Sequence, residues 1–200
     1  IFCSEHGSGD HLNSSKNIQA QIESYFSSYR STRANKFIAY FQNFTNTYDT
    51  IHNLKEKYDS ALIDDRIVGL DIATRPDCID ENVAKLISTY MPKYKVFVEL
   101  GLQTSNDSTG SLINRGYDSS KFTEAVSILN KYNIPVICHI MVGLPTENTM
   151  VSVQETIDGN TYDFRVFKDI IETIKFINTH NISGIKIHST YIVKNTKLSN

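Results

Sequence analysis

An α/β fold built around a parallel sheet is what this sequence predicts, and three observations carry it. Five short, β-rich apolar runs recur along the chain: "KFIAYFQ" (36–42), "RIVGLDIA" (66–73), "KVFVELGL" (95–102), "IPVICHIMVGL" (134–144) and "GIKIHSTYIV" (184–193). Each is continuous rather than strictly alternating, the pattern of strands covered on both faces. Helical patterns separate them throughout, so the chain reads as successive βαβ units. The sheet is either open and doubly wound or part of a (β/α) barrel, and periodicity does not choose between them.

The helices follow in order. A pattern over 17–30 comes after the polar "NSSK", and one over 47–62 has a Thr/Asp start. The pattern over 80–91 is capped by Asp80, and that over 118–133 by Asp118 or Ser119, since these short polar side chains accept from the free N–H groups of a first turn. The longest covers 162–181. Residues 146–162 break the rhythm: they are polar, carry the turn signal "DGN", and read as an extended connection.

Two hundred residues at 40% hydrophobic composition suffice for one core and one domain. A charged fraction of 21% and a net charge of -2 provide no broad basic footprint for nucleic acid or anionic lipid. No apolar run is long enough to span a bilayer, and no basic-then-apolar leader opens the chain, so no membrane partner is expected. Three widely spaced cysteines, Cys3, Cys78 and Cys138, fit a reducing compartment better than a disulfide framework, and the expected location is the cytoplasm. The chain opens inside a loop and stops just past an apolar strand, so truncation is expected at both ends.

Candidate chemistry lies where the strands end, since a parallel α/β sheet gathers its functional loops at the carboxyl edge. Those loops are rich in Asn, Thr, Gln, Arg, His and Gly, a polar ring suited to a polar small molecule. Glu99, inside "VFVELGLQ", must have a partner if its strand is buried on both faces. Asp71 could be held by backbone alone. His139 and His188 sit among apolar strand residues, where hydrogen-bonded core histidines are commoner than ligands, and neither is spaced for zinc with a cysteine. The "HGSGD" loop lacks dinucleotide-fingerprint and P-loop spacing, and no nucleophile elbow is present, which disfavours a serine hydrolase.

Taken together, "IFCSEHGSGD", "AYFQNFTNTY", "GLDIATRPDC", "VELGLQTSNDST…INRG", "HIMVGLPTE" and "GIKIHSTYIVKNTKL" resemble the radical S-adenosylmethionine enzymes. The likeness is to an uncharacterised iron–sulfur oxidoreductase subgroup related to the elongator-type and oxygen-independent coproporphyrinogen oxidase branches. It implies a partial, three-quarter TIM-type (β/α) barrel, with residues 1–200 as one core domain lacking its first strand. It also implies a 4Fe-4S cluster held by three cysteines and S-adenosylmethionine chelated to the fourth iron. One electron would cleave the sulfonium, and the resulting 5′-deoxyadenosyl radical would abstract hydrogen from a substrate. Cys3 would be the last cluster cysteine, completing a C-x-x-C whose first cysteine precedes Ile1; without the other two, the fragment would be inactive. Cofactor contacts implied by the resemblance are Asn43, Phe44, Thr45, Asn46 and Thr47 at the methionyl amino group, Gln103 near the ribose, and Arg115 at the carboxylate. His139, Gly143 and His188 would lie beside the adenine. Implied partners are an electron donor such as flavodoxin or ferredoxin and a substrate that includes a tRNA base among its candidates. The alternative is a cluster-free (β/α) barrel enzyme or binding module for a nucleotide-like or phosphorylated molecule.

Overall fold

In a computed structural model, residues 17–145 and 149–192 are described. Five parallel strands form one sheet in the order β1-β2-β3-β4-β7. They are β1 (Phe37–Phe41), β2 (Ile67–Thr74), β3 (Lys95–Gln103), β4 (Val136–Val142) and β7 (Gly184–Ser189), matching the five predicted runs. The sheet and its helices form a half-barrel, the partial TIM-type architecture expected above. One face of the sheet is sealed by helices: Leu70, Ile72, Val98, Leu100, Cys138 and Ile140 are fully buried, as are Ile87, Phe122 and Leu129 of the covering layer. Each such side chain contributes about 1.5–3 kcal/mol on leaving water. Residues of the opposite parity face the concave side, and Asp71, Glu99 and His139 are among them, beside apolar Phe97, Ile137 and Met141.

Helix starts follow the caps. In α3 (Glu81–Ser88) the Asp80 side chain accepts from Val83 N–H, and in α5 (Ser119–Lys131) Asp118 does so from Lys121 N–H. Helix α2 (Ile51–Asp59) begins later than the predicted 47, because Thr50 caps it and Thr47 is engaged elsewhere. The first pattern splits into α1 (Ile18–Phe26) and a 3-10 segment at Tyr29–Arg33. The loop after β3 contains a short α4 (Asp107–Leu112), capped by Asn106.

Two expectations are corrected in the 146–181 region. The extended connection is an antiparallel hairpin, β5 (Met150–Ile157) with β6 (Asn160–Phe167). Asp158 and Gly159 both have positive φ (50° and 79°), the two-residue turn that matches strand twist and that an Asp-Gly pair supplies. The last helix, α6 (Lys168–Ile177), therefore starts at Lys168 and not at 162. Cys78 and Cys138 are free thiols.

Candidate functional site

The concave face gathers titratable side chains from all five strands around Glu99 of β3. Glu99 is 4% exposed, so its carboxylate needs internal donors. Tyr40 donates its hydroxyl to Oε2 at 2.6 Å, and His139 Nε2 lies 2.7 Å from the same oxygen. Lys186 Nζ reaches Oε1 at 3.2 Å and Oε2 at 3.1 Å, and donates to the Tyr40 oxygen at 2.8 Å. Asp71 on β2 lies in register beside β3, close enough for the Glu99 charge to act on its carboxyl. The His188 ring packs 5.1 Å from that of His139.

Burial opposes the Glu99 carboxylate, but the Tyr40 hydrogen bond, His139 and Lys186 outweigh it and hold its pKa below the ordinary value. Asp71 goes the other way: burial, then the Glu99 charge, push it up to about 7 against the pull of Lys186. Burial also lowers His139, which near neutrality donates its Nε2 hydrogen to Glu99 as a neutral imidazole. Burial and the Glu99 hydrogen bond raise the Tyr40 phenol, which stays protonated.

The carboxyl edge of the sheet carries the remaining candidates. After β1, Asn43 Oδ1 is buried without a hydrogen-bond partner among the described residues, and Phe44 adopts φ 62° with its side chain exposed. Asn46 and Thr47 turn inward instead. Asn46 donates to the carbonyls of Phe41, Asn43 and Ala73 and accepts from Lys57, while Thr47 meets Thr74 at 2.6 Å. These two side chains tie the end of β1 to that of β2; Thr45 is half-buried beside them.

At the end of β3 the pairing with β4 skips Leu102, and Gln103 takes φ 60°, a bulge in left-handed backbone. Such outliers concentrate where a side chain has been re-aimed. The Gln103 amide folds over Gly101, whose lack of a Cβ admits it: a Cβ there would stand 2.5 Å from Nε2. Arg115 is 5% exposed and clamps this loop. Nε donates to Tyr117 O at 2.7 Å, Nη1 to Leu102 O at 2.9 Å and Thr104 O at 2.6 Å, and Nη2 to Asp107 Oδ1 at 2.6 Å. With four hydrogen bonds made to its own chain, at most one N–H is left for a ligand. Past β4, Gly143 has φ 84°, a left-handed backbone that favours glycine, and among the described residues a Cβ there would come within 3.9 Å of Thr190. Cys3 lies outside the described residues.

The structure thus brings His139 and His188 together with Glu99, and separately links Gln103 to Arg115 through Tyr117, whose hydroxyl donates to Gly101 O and Gln103 Oε1. Sequence reasoning missed Tyr40 and Lys186. Their signal is parity: in "FIAYF" and "GIKIHS" they alternate with apolar neighbours and so share the concave face.

The family model of the Radical SAM superfamily matches residues 1–158. The chain belongs to this superfamily. The uncharacterized protein YtqA of Bacillus subtilis is 35% identical over 199 residues, covering 98% of this chain and 56% of YtqA. The uncharacterized protein MJ0486 of Methanocaldococcus jannaschii is 30% identical over 202 residues, covering 99% and 57%. This radical SAM chain therefore spans about half the length of the curated relatives it matches. Among solved structures, Methanocaldococcus infernus Elp3 superposes with a TM-score of 0.68 at 18% identity, over 92% of this chain and 44% of Elp3. The Escherichia coli coproporphyrinogen III oxidase HemN does so with a TM-score of 0.58 at 12% identity, over 89% and 39%. Both likenesses concern the fold.

Proposed function

We propose that this chain is the core of a radical S-adenosylmethionine oxidoreductase or transferase, binding its cofactors at the carboxyl edge and its substrate on the concave face. The observation that carries the cofactor side is the Asn43 oxygen, buried after β1 with no donor among the described residues. The amino group of a methionyl moiety is the kind of donor it lacks, and an unpaired buried acceptor costs about 1–3 kcal/mol until one arrives. Gly143, with φ 84° and no side chain, permits close approach of a flat group to the strand end. Gln103, re-aimed by its bulge, provides an amide for hydroxyl recognition. Arg115 serves the site chiefly by fixing the Gln103 loop, with one N–H at most for the cofactor carboxylate. Asn46 and Thr47 act by pinning the loop that presents Asn43, Phe44 and Thr45.

A 4Fe-4S cluster, to which Cys3 would contribute a thiolate, supplies when bound the electron that cleaves S-adenosylmethionine. The protein's share is to position the cofactor and to exclude water from the lumen. A flavodoxin- or ferredoxin-type donor would deliver the electron. A tRNA base enters as substrate only through the resemblance to elongator-type enzymes, and a net charge of -2 lends it no electrostatic support.

The test is anaerobic reconstitution of the full-length protein with iron and sulfide, followed by reduction in the presence of S-adenosylmethionine. Iron–sulfur absorption and release of 5′-deoxyadenosine are expected. Nucleotide binding with no cluster and no 5′-deoxyadenosine would overturn this reading in favour of a cluster-free barrel.

A further inference from the structure

The concave-face cluster contains more chemistry than a strand tie requires. A tie alone is made as well by apolar side chains, which avoid the cost of burying charge. Here instead two carboxyls, a phenol, an ammonium and an imidazole are joined, and Asp71 Oδ1 is left buried without a partner. The acids sit behind, with Glu99 4% exposed, while the groups in front reach the lumen: Lys186 at 36%, His139 at 19% and Tyr40 at 39%.

Charge decides what these front groups can accept. With Asp71 keeping its own proton below about pH 7, the negative charge of Glu99 is cancelled by Lys186. A substrate carboxylate or phosphate would face Glu99, and a substrate ammonium would face Lys186, with no free counter-ion for either. Hydrogen bonding remains. Lys186 carries donors, the Tyr40 hydroxyl hydrogen being committed to Glu99, and His139, whose Nε2 hydrogen is likewise committed to Glu99, offers Nδ1 as an acceptor. The Tyr40, His139 and His188 rings give the floor flat apolar surfaces.

We propose that this cluster is the docking floor for an uncharged planar substrate group of the amide or lactam class, its carbonyl toward Lys186, its N–H toward His139 and its flat face against the Tyr40 ring. Asp71, holding its own proton beside Glu99, keeps the floor neutral. This deepens the preceding proposal, since it takes the concave face as the substrate side of that barrel, but it concerns binding alone and needs neither cluster nor S-adenosylmethionine.

Three probes of one shape and different charge test it: benzamide, benzoate and benzamidinium, titrated calorimetrically into the full-length protein. At about pH 6 benzamide should bind with a Kd of about millimolar, at least about tenfold tighter than the two ions. Lys186→Met should shift the preference to benzamidinium, and Glu99→Gln should shift it to benzoate. Raising the pH through about 7 removes the Asp71 proton and should also favour benzamidinium, with Tyr40, Glu99, His139, Lys186 and His188 the other titratable groups around Asp71. Equal or tighter binding of either ion to the unaltered protein, binding of none of the three, or an unchanged order in Lys186→Met would overturn the proposal. Lys186 is partly exposed, so its variant keeps the test sound if Glu99→Gln fails to fold. Failure here with 5′-deoxyadenosine still released refutes the docking floor alone; the reverse pattern refutes the radical reading alone.

Discussion

Arg115 offers the sharpest energetic test, because its role can be worked out bond by bond. Arg115→Met keeps the apolar stem and deletes every N–H donor. Two of the acceptors abandoned, the carbonyls of Leu102 and Thr104, are in buried hydrogen bonds, and the third, Tyr117 O, is partly buried. An acceptor left buried and unpaired costs about 1–3 kcal/mol. Asp107, whose side chain is 48% exposed, rehydrates and adds little. Relief of burying the guanidinium offsets part of the loss, leaving an expected destabilisation of about 3–5 kcal/mol. Urea unfolding monitored by circular dichroism measures it as a lower midpoint at unchanged slope. Arg115→Lys should recover less than half, since one ammonium cannot reproduce the planar fork that reaches both sides of the loop. A loss below about 1 kcal/mol in Arg115→Met would refute the clamp and reassign the residue to ligand contact alone.

Gly69→Ala should destabilise by about 2 kcal/mol or more in thermal unfolding, because the new Cβ would lie 2.5 Å from the backbone oxygen of Lys95 in the neighbouring strand. Asp71, raised to about 7, binds a proton in the folded chain that the unfolded chain has already released, so stability should fall as pH rises from the ordinary carboxylate range to about 7. Asp71→Asn should flatten that slope in a pH series of urea midpoints, while the oppositely shifted Glu99 acts only at lower pH. Amide hydrogen exchange should be faster across the exposed hairpin Met150–Phe167 than across Ile67–Thr74, since an isolated two-stranded unit has little core to protect it; equal protection would contradict this.

The sheet was legible because parallel strands advertise themselves as continuous apolar runs, and Asp80 and Asp118 announced their helices by cap chemistry. The hairpin was misread although "DG" at 158–159 is its turn signal, because its flanks are polar on one face and read as loop. At the site, Glu99 drew attention as a carboxylate that had to be partnered, yet its partners could not be named. They lie 59, 40 and 87 positions away, and only the parallel register brings them together. The inward turn of Asn46 and the clamping bonds of Arg115 were likewise hidden, since a polar residue in a loop looks the same whether it serves a ligand or its own backbone.

Tyr40 and Lys186 stand on β1 and β7, the two outer strands of the described sheet, and their 2.8 Å bond, with the ammonium 4.6 Å from the ring centroid, bridges them directly. It acts as a bowstring. The radius of the arc is thereby set by a side-chain tie across its ends as well as by the twist of its strands, and the anchor of that tie is an ionisable group. A molecule that draws Lys186 away to itself would slacken the string, so the width of the lumen is a property the guest can adjust.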